Sequence, residues 1–413
     1  MFFLYQFFIS IIIIFSPIIL LIRLIKKKED PERFLEKFFL SKKKRPKGNL
    51  IWFHCASVGE TMSIIKILDY FEADKRLDNI LITTTTISSA NLIKKFKYKK
   101  LIHQYYPFDY YIITKKFINY WKPNIAIFLE AEIWPSMFFS LKKKLVPLII
   151  LNTRLSKKSF KKWMFLKDFA KNIFSLIEYS YPQNKETELF LKKLNVKKIK
   201  KIGNLKYIES KNIKLNKSYK NSLKRLSGYN TWVAASTHPG EEYFVAKAHI
   251  MLKKKQKNLI TIIIPRHINY VEKIKNQLEK LNLKVITHNS KKKNLDNVDI
   301  YLVDSFGISK SFYELSSTVF LGKSIYHNGG QNPLEAVNYG CNILHGPNVQ
   351  NFKEVYIHLD KLKISKKVDS VTGLSRNIFF NKNYSTSIKI KNIGNKIFKN
   401  TIKELEFHIK KCI

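Results

Sequence analysis

Short apolar runs alternate with amphipathic stretches along most of the chain, and this pattern limits the fold more than any other feature. From about Asn49 the runs are "NLIWFHC", "NILITTTT", "LIHQYYP", "NIAIFLE" and "VPLIILN". Each is bounded by polar or turn residues and followed by helical periodicity, as expected of parallel βαβ units whose strands are buried on both faces. A second series starts near Asn230 with "TWVAAS", "NLITIIIP", "LKVITHN", "VDIYLVD", "STVFLG" and "CNILHG". Helix starts are expected at Ser309 and at Asn332, with Pro333 in the first turn. The pattern predicts an α/β fold of two Rossmann-like domains facing a cleft, since 413 residues exceed what one compact core usually holds. The expected boundaries are 49–210 and 225–413, the latter ending in a helix over "NIGNKIFKNTIKELEFHIKK", with the polar, Lys-rich stretch 205–229 as the connection.

Residues 1–22 carry no charge and are followed by Arg23, Lys26, Lys27 and Lys28. About 20 apolar residues suffice to cross a hydrocarbon core, and the uncharged start does not suit a secretory leader. The segment is expected to be an uncleaved transmembrane anchor, with a surface-lying hairpin as the alternative, and 23–48 a basic linker. Lys and Arg favour the cytoplasmic side, which puts the remaining chain there. Against 75 Lys and Arg stand only 31 Asp and Glu. Such an excess draws polyanions, yet Lys, Ile and Asn are abundant throughout, so charge alone names no partner. Cys55, Cys341 and Cys412 have no zinc-ligand spacing and no paired framework, which fits a reducing compartment.

The informative polar residues fall at strand ends, where open α/β sheets bind ligands. Glu60 closes "IWFHCASVGE" at a strand-to-helix turn; among the free N–H groups of a first helical turn it is expected to stay ionised near neutral pH and able to accept a proton. Glu130 and Glu132 end another strand in "FLEAEIWP" before the Trp134-Pro135 break. In "AASTHPGEE", Ser236 and Thr237 precede Gly240 and a helix, a turn suited to phosphate oxygens. "IIIPRH" delivers Arg266, whose guanidinium grips phosphate in a fork. In "NGGQNPLEAVNYG" two glycines would let backbone approach a ligand, and Glu335 would face a ribose or sugar hydroxyl. No GxxxxGKS loop, no GxGxxG and no Asp-x-Asp pair occurs, and His54, His238, His267, His327 and His345 lack helical ligand spacing, so no metal is expected.

Taken in order, "IWFHCASVGE", "FLEAEIWP", "LNTRLS", "GNLK", "ASTHPGEE", "IIIPRH" and "GGQNPLEA…ILHGPNVQNF" resemble the bacterial Kdo transferases, which add 3-deoxy-D-manno-octulosonic acid (Kdo) to the lipid A precursor. The resemblance implies a GT-B glycosyltransferase at the bacterial inner membrane, an acceptor-binding first domain, a donor-binding second domain, CMP-Kdo as donor and no cofactor. It implies Glu60 as general base, with Glu130 and Lys206 of "GNLK" as transition-state stabilisers and Glu132 as a further candidate. Pro265, Arg266, Phe306, Gly307, Ile308, Asn332, Pro333, Leu334 and Glu335 are implied as CMP contacts. The chain departs from the family pattern at Ile308, Lys323 and Ala131. Two other functions compete: a membrane-associated GT-B enzyme using a UDP-sugar, and a tethered nucleic-acid-binding protein, for which the strand-end acids have no purpose. Residues 157–174, "KKSFKKWMFLKDFAKNIF", interleave Lys with aromatics and suit either a membrane surface or a core-packed helix.

Overall fold

The computed structural model describes residues 1–40, 43–208, 224–290, 294–382 and 384–413. The chain divides into two compact units, Met1–Lys211 with Gly394–Ile413, and Asn212–Ile393. Of the expected connection 205–229, residues 209–223 lie outside the described residues.

The first unit is built on a seven-stranded sheet in the order β3-β2-β1-β4-β5-β6-β7. Its strands are β1 (Leu50–Cys55), β2 (Asn79–Thr84), β3 (Leu101–Tyr105), β4 (Ile125–Leu129), β5 (Leu148–Thr153), β6 (Tyr179–Pro182) and β7 (Lys198–Ile199). Every pairing is parallel. All residues of β1, β2, β4 and β5 are buried, so these strands read as continuous apolar runs. Trp52, Phe117, Trp121, Phe128 and Phe138 fill the core between sheet and helices. The chain walks outward from β1 to β3, then returns to place β4 on the other side of β1. That reversal leaves a crevice beyond the carboxyl ends of β1 and β4, where a doubly wound sheet binds ligand.

The second unit repeats the plan with β8 (Asn230–Thr237), β9 (Leu259–Pro265), β10 (Val285–Thr287), β11 (Ile300–Leu302), β12 (Thr318–Leu321), β13 (Asn342–His345) and β14 (Ser365–Lys367). The order is β10-β11-β9-β8-β12-β13-β14, which puts the reversal between β8 and β12. A separate core gathers Trp232, Phe244, Ile263, Leu302 and Phe320. A helix starts at Ser309 as expected, whereas the one after Pro333 is only Leu334–Val337.

Three local results differ from the sequence expectations. The stretch after Arg23 is no free linker: Glu36 is buried, holds Arg33 at 2.7 Å and accepts the Tyr105 N–H at 2.8 Å, while Glu29 holds Lys37 at 2.6 Å. Arg23, Arg33 and Lys37 are paired with acids of the same stretch, and Phe39 enters the first core. The C-terminal helix Tyr384–Cys412 begins in the second unit, but from Gly394 it belongs to the first. There Glu406 bonds Tyr70 and Arg76, and Glu404 bonds Tyr181 and Lys200. Finally, 157–174 forms two helices, Lys157–Phe165 with no buried residue and Lys167–Phe174 burying Phe169, Ala170, Ile173 and Phe174. Phe160, Trp163 and Met164 of the first helix also pack against the first core, so the core-packed reading holds for most of the apolar residues of both helices, and only Phe165 and Leu166 between them stand exposed.

The first helix, Phe2–Ile25, is long and apolar enough to cross a membrane.

Candidate active site

β1 and β4 deliver acids to the crevice of the first unit. Ser57 caps the helix Val58–Ala73, its hydroxyl accepting the Glu60 N–H at 3.3 Å. The Glu60 side chain folds back over this turn: one carboxylate oxygen accepts the Ala56 N–H at 2.7 Å and the other the Ser57 hydroxyl at 2.9 Å. Glu60 is only 8% exposed. Burial, reinforced by the charges of Glu132 and Glu130, lifts its pKa from 4.5 to about 7, against the lowering effect of the Ala56 and Ser57 hydrogen bonds. The expected fully ionised acid is therefore corrected to one poised at neutrality. Desolvation and two like charges outweigh the helix-start N–H groups, and a base with this value takes and returns protons readily.

Glu130 follows β4 with a left-handed backbone, φ 52°, rare for a residue with a side chain and typical of positions fixed by function. Its carboxylate meets Lys206 Nζ at 2.7 Å. Lys206 rides on a short turn, Leu205–Tyr207, whose Leu205 N–H donates to Asn152 Oδ1 at 3.0 Å. Asn152 is itself left-handed, φ 56°, and its amide lies 3.5 Å from Glu130. On the other side of this turn runs the C-terminal helix: a Cβ on Gly394 would lie 2.2 Å from the Tyr207 carbonyl oxygen. Glu132 is held separately, by Trp134 Nε1–H at 2.9 Å and by buried His54 Nε2 at 3.3 Å, while His54 Nδ1 reaches Thr83 Oγ1 at 2.9 Å.

The four first-unit candidates thus gather at one sheet reversal, along with three residues that sequence reasoning missed as site members. In sequence, Asn152 lies within "LNTRLS", His54 reads only as a histidine without metal-ligand spacing, and Trp134 only as part of a helix break. Buried Cys55 is a strand residue whose thiol pKa burial drives up well above its ordinary value.

In the second unit, Thr237 of β8 pairs with Pro265 of β9, and the Arg266 N–H donates to the Thr237 carbonyl at 3.0 Å. Ser236 is left-handed, φ 55°, and Arg266 is exposed. A hollow of about 250 Å³ opens here, lined by Thr237, Gly240, Pro265, His267 and Lys273 among others. Glu241 has no free edge for a ligand: it is fully buried and accepts the N–H groups of His238, Lys323, Ser324 and Ile325. Lys323 adopts φ 58°, the conformation that a glycine would take at no cost. Phe306 is exposed, Gly307 has φ 81°, and Ile308 is buried, so only the backbone of Ile308 can meet a ligand. Asn332 Oδ1 accepts the Leu334 N–H at 3.1 Å, Pro333 precedes the turn, and Glu335 reaches Lys310 at 3.5 Å, which links this segment to the helix after Ile308. Gly330 serves its own chain: a Cβ there would strike Val349 at 2.9 Å.

Paired seven-stranded sheets, each reversed once, with acids at one reversal and a hollow beside the other, define the GT-B class of two-domain enzymes. Solved structures agree on the fold: a UDP-N-acetylglucosamine 2-epimerase (TM-score 0.54, 10% identity, 88% of this chain and 98% of that one) and Anabaena HepE with UDP (TM-score 0.51, 10% identity, 89% and 100%). Residues 32–209 match the family model described as 3-deoxy-D-manno-octulosonic-acid transferase (kdotransferase). The 3-deoxy-D-manno-octulosonic acid transferase of Rickettsia bellii is 33% identical over 82% of this chain and 80% of its own length. Its Haemophilus influenzae counterpart is 28% identical over 88% and 87%. The chain belongs to the 3-deoxy-D-manno-octulosonic acid transferase family and is a glycosyltransferase.

Proposed function

We propose that this enzyme transfers Kdo, with inversion, from CMP-Kdo to a hydroxyl of the lipid A precursor at the cytoplasmic face of the bacterial inner membrane. One observation carries the mechanism: a buried carboxylate, Glu60, beside Glu132 and the Glu130–Lys206 pair at the reversal of the first sheet, where burial and like charge lift its pKa to about 7. Glu60 removes the acceptor hydroxyl proton as that oxygen attacks the anomeric carbon; the bond to the CMP phosphate breaks and its electron pair leaves with CMP. Glu130 and Lys206, locked together, present a fixed dipole to the charge that develops, and this arrangement needs no reorganisation during the reaction.

On the donor side, Ser236, Thr237 and Arg266 suit the phosphate, and Glu335 suits a ribose hydroxyl. Pro265, the backbone at Phe306-Gly307-Ile308, and Asn332, Pro333 and Leu334 complete the proposed CMP contacts. Asn332 is the weakest of these by side chain, since its carbonyl oxygen already caps the next turn. The leaving phosphate is met by protein cations and N–H groups, so the step uses no metal ion, and full activity in excess EDTA is expected. Nucleic acid is not a partner in this reading.

The test is to incubate the protein with lipid A precursor and CMP-Kdo and follow product mass. The parent should add sugar and Glu60→Ala almost none, with unchanged circular dichroism. Product made from a UDP-sugar but not from CMP-Kdo would refute the donor, and an active Glu60→Ala would refute the base.

A further inference from the structure

The first helix does not stand away from the protein. At its start, Tyr5 donates to Asp109 at 2.7 Å, Gln6 bonds Ser136 at 2.7 Å and accepts the Tyr111 N–H at 3.0 Å, and the Phe2 ring stacks on Phe139 at 4.5 Å. Midway, Ile13 packs on the first core, and Ser16 and Leu20 are buried. At its end, Arg23 reaches Glu29 at 2.6 Å, and Glu29 in turn holds Lys37. Residues 5, 6, 13, 16 and 20 share one side of a helix. The other side, with Phe3, Phe7, Ile14, Ile18 and Leu21, is apolar and exposed from one end to the other.

A helix of 24 residues is about 36 Å long, enough to cross the hydrocarbon layer. If this one crossed while docked, its start would carry Asp109, Ser136, Tyr111 and Phe139 to the far side. A lysine-rich body would then sit in hydrocarbon, which charged groups do not tolerate. Undocking it instead would strip the Tyr5 and Gln6 bonds. The remaining solution keeps every contact. We propose that the helix lies in the plane of the membrane, its outer face immersed in the acyl layer of one leaflet, with both ends on the side of the catalytic units.

The surroundings fit an anionic lipid surface. Lys143 stands over the Phe139 and Tyr111 rings, at 5.1 and 5.3 Å, beside the helix start, and Arg23, Lys26, Lys27 and Lys28 flank its end. A helix crossing the bilayer would have cations of this body at one end only; here they stand at both. Near the start, Tyr5 touches Phe169 at 5.9 Å, and the turn before Phe169 exposes Phe165 (88%) and Leu166 among lysines, a second apolar contact for the same leaflet.

This inference rests on the reading of the enzyme as membrane-bound, and the test separates the two. In a Cys412→Ser background, one cysteine is placed in a short extension before Met1, and in a second protein Leu189→Cys marks the body, where Leu189 is exposed. Spheroplasts and inverted inner-membrane vesicles from cells making each protein are treated with a membrane-impermeant maleimide. Labelling of both cysteines in inverted vesicles and of neither in spheroplasts is expected. Terminal labelling in spheroplasts, with the body labelled only in inverted vesicles, would mean a crossing helix and overturn the inference while leaving membrane attachment intact. Recovery of the full chain in the soluble fraction would overturn both.

Discussion

At the scale of single residues, the first-unit acids separate charge from burial. As the proposed base, Glu60 would have to be deprotonated to accept a proton, so kcat/KM is expected to rise with pH through about 7 and level off above it. Stability runs the other way. The folded-state pKa lies above the ordinary 4.5, so this group's contribution is fully present below that value and is lost as pH rises through about 7. Glu60→Gln, which does not titrate, should flatten that part of the pH–stability profile, as read by chemical denaturation between pH 5 and 8. Lys206→Met removes the cation 2.7 Å from Glu130 and should lower kcat by roughly 10² to 10³ with a smaller change in KM. "SVGE" made the position of Glu60 legible, because a strand, a capping serine and an acid at the third helical position form a recognisable order. Its pKa was not legible, because the burial and the neighbouring carboxylates come from a strand some seventy residues away. His54 and Asn152 were missed for a similar reason: their partners, Glu132 and the Lys206 turn, are distant in sequence.

At the scale of elements, the Lys206 turn is wedged between Asn152 and the C-terminal helix. Alanine at a helical glycine usually gains up to about 1 kcal/mol. At Gly394 the added Cβ would overlap a backbone oxygen at 2.2 Å, and such overpacking costs about 1 to 3 kcal/mol, so Gly394→Ala should be destabilising. A lower melting temperature together with reduced kcat is the expected pair of results. Eleven strands were readable from apolar runs, since central parallel strands are buried on both faces. The three that were not, β6, β7 and β14, are short strands at or next to a sheet edge: β7 is only Lys198–Ile199, and β14 is Ser365–Lys367. An edge strand asks little of its side chains, so backbone pairing places it where composition gives no sign. The basic stretch after Arg23 reads as a linker because two of its four acids, Glu29 and Glu36, look like solvent-facing charges until their partners are known.

At the scale of the whole molecule, an excess of 44 positive charges joined to an apolar helix face defines how the protein should meet lipid. Binding to vesicles containing phosphatidylglycerol is expected to weaken as salt rises from 0.05 to 0.5 M, because screening shortens the reach of the lysines. It should not vanish, because the apolar contact does not depend on salt; complete release at high salt would argue that the helix face stays out of the bilayer. The last helix bears on the molecule in another way. Its final stretch, from Gly394 onward, completes the unit that begins the chain. A premature stop just before residue 394 would spare all of the proposed donor contacts and yet strike the unit that holds the proposed base, leaving the Lys206 turn without its cover. Likewise, a protein rebuilt from two separately made pieces would work only if the tail were grafted onto the first.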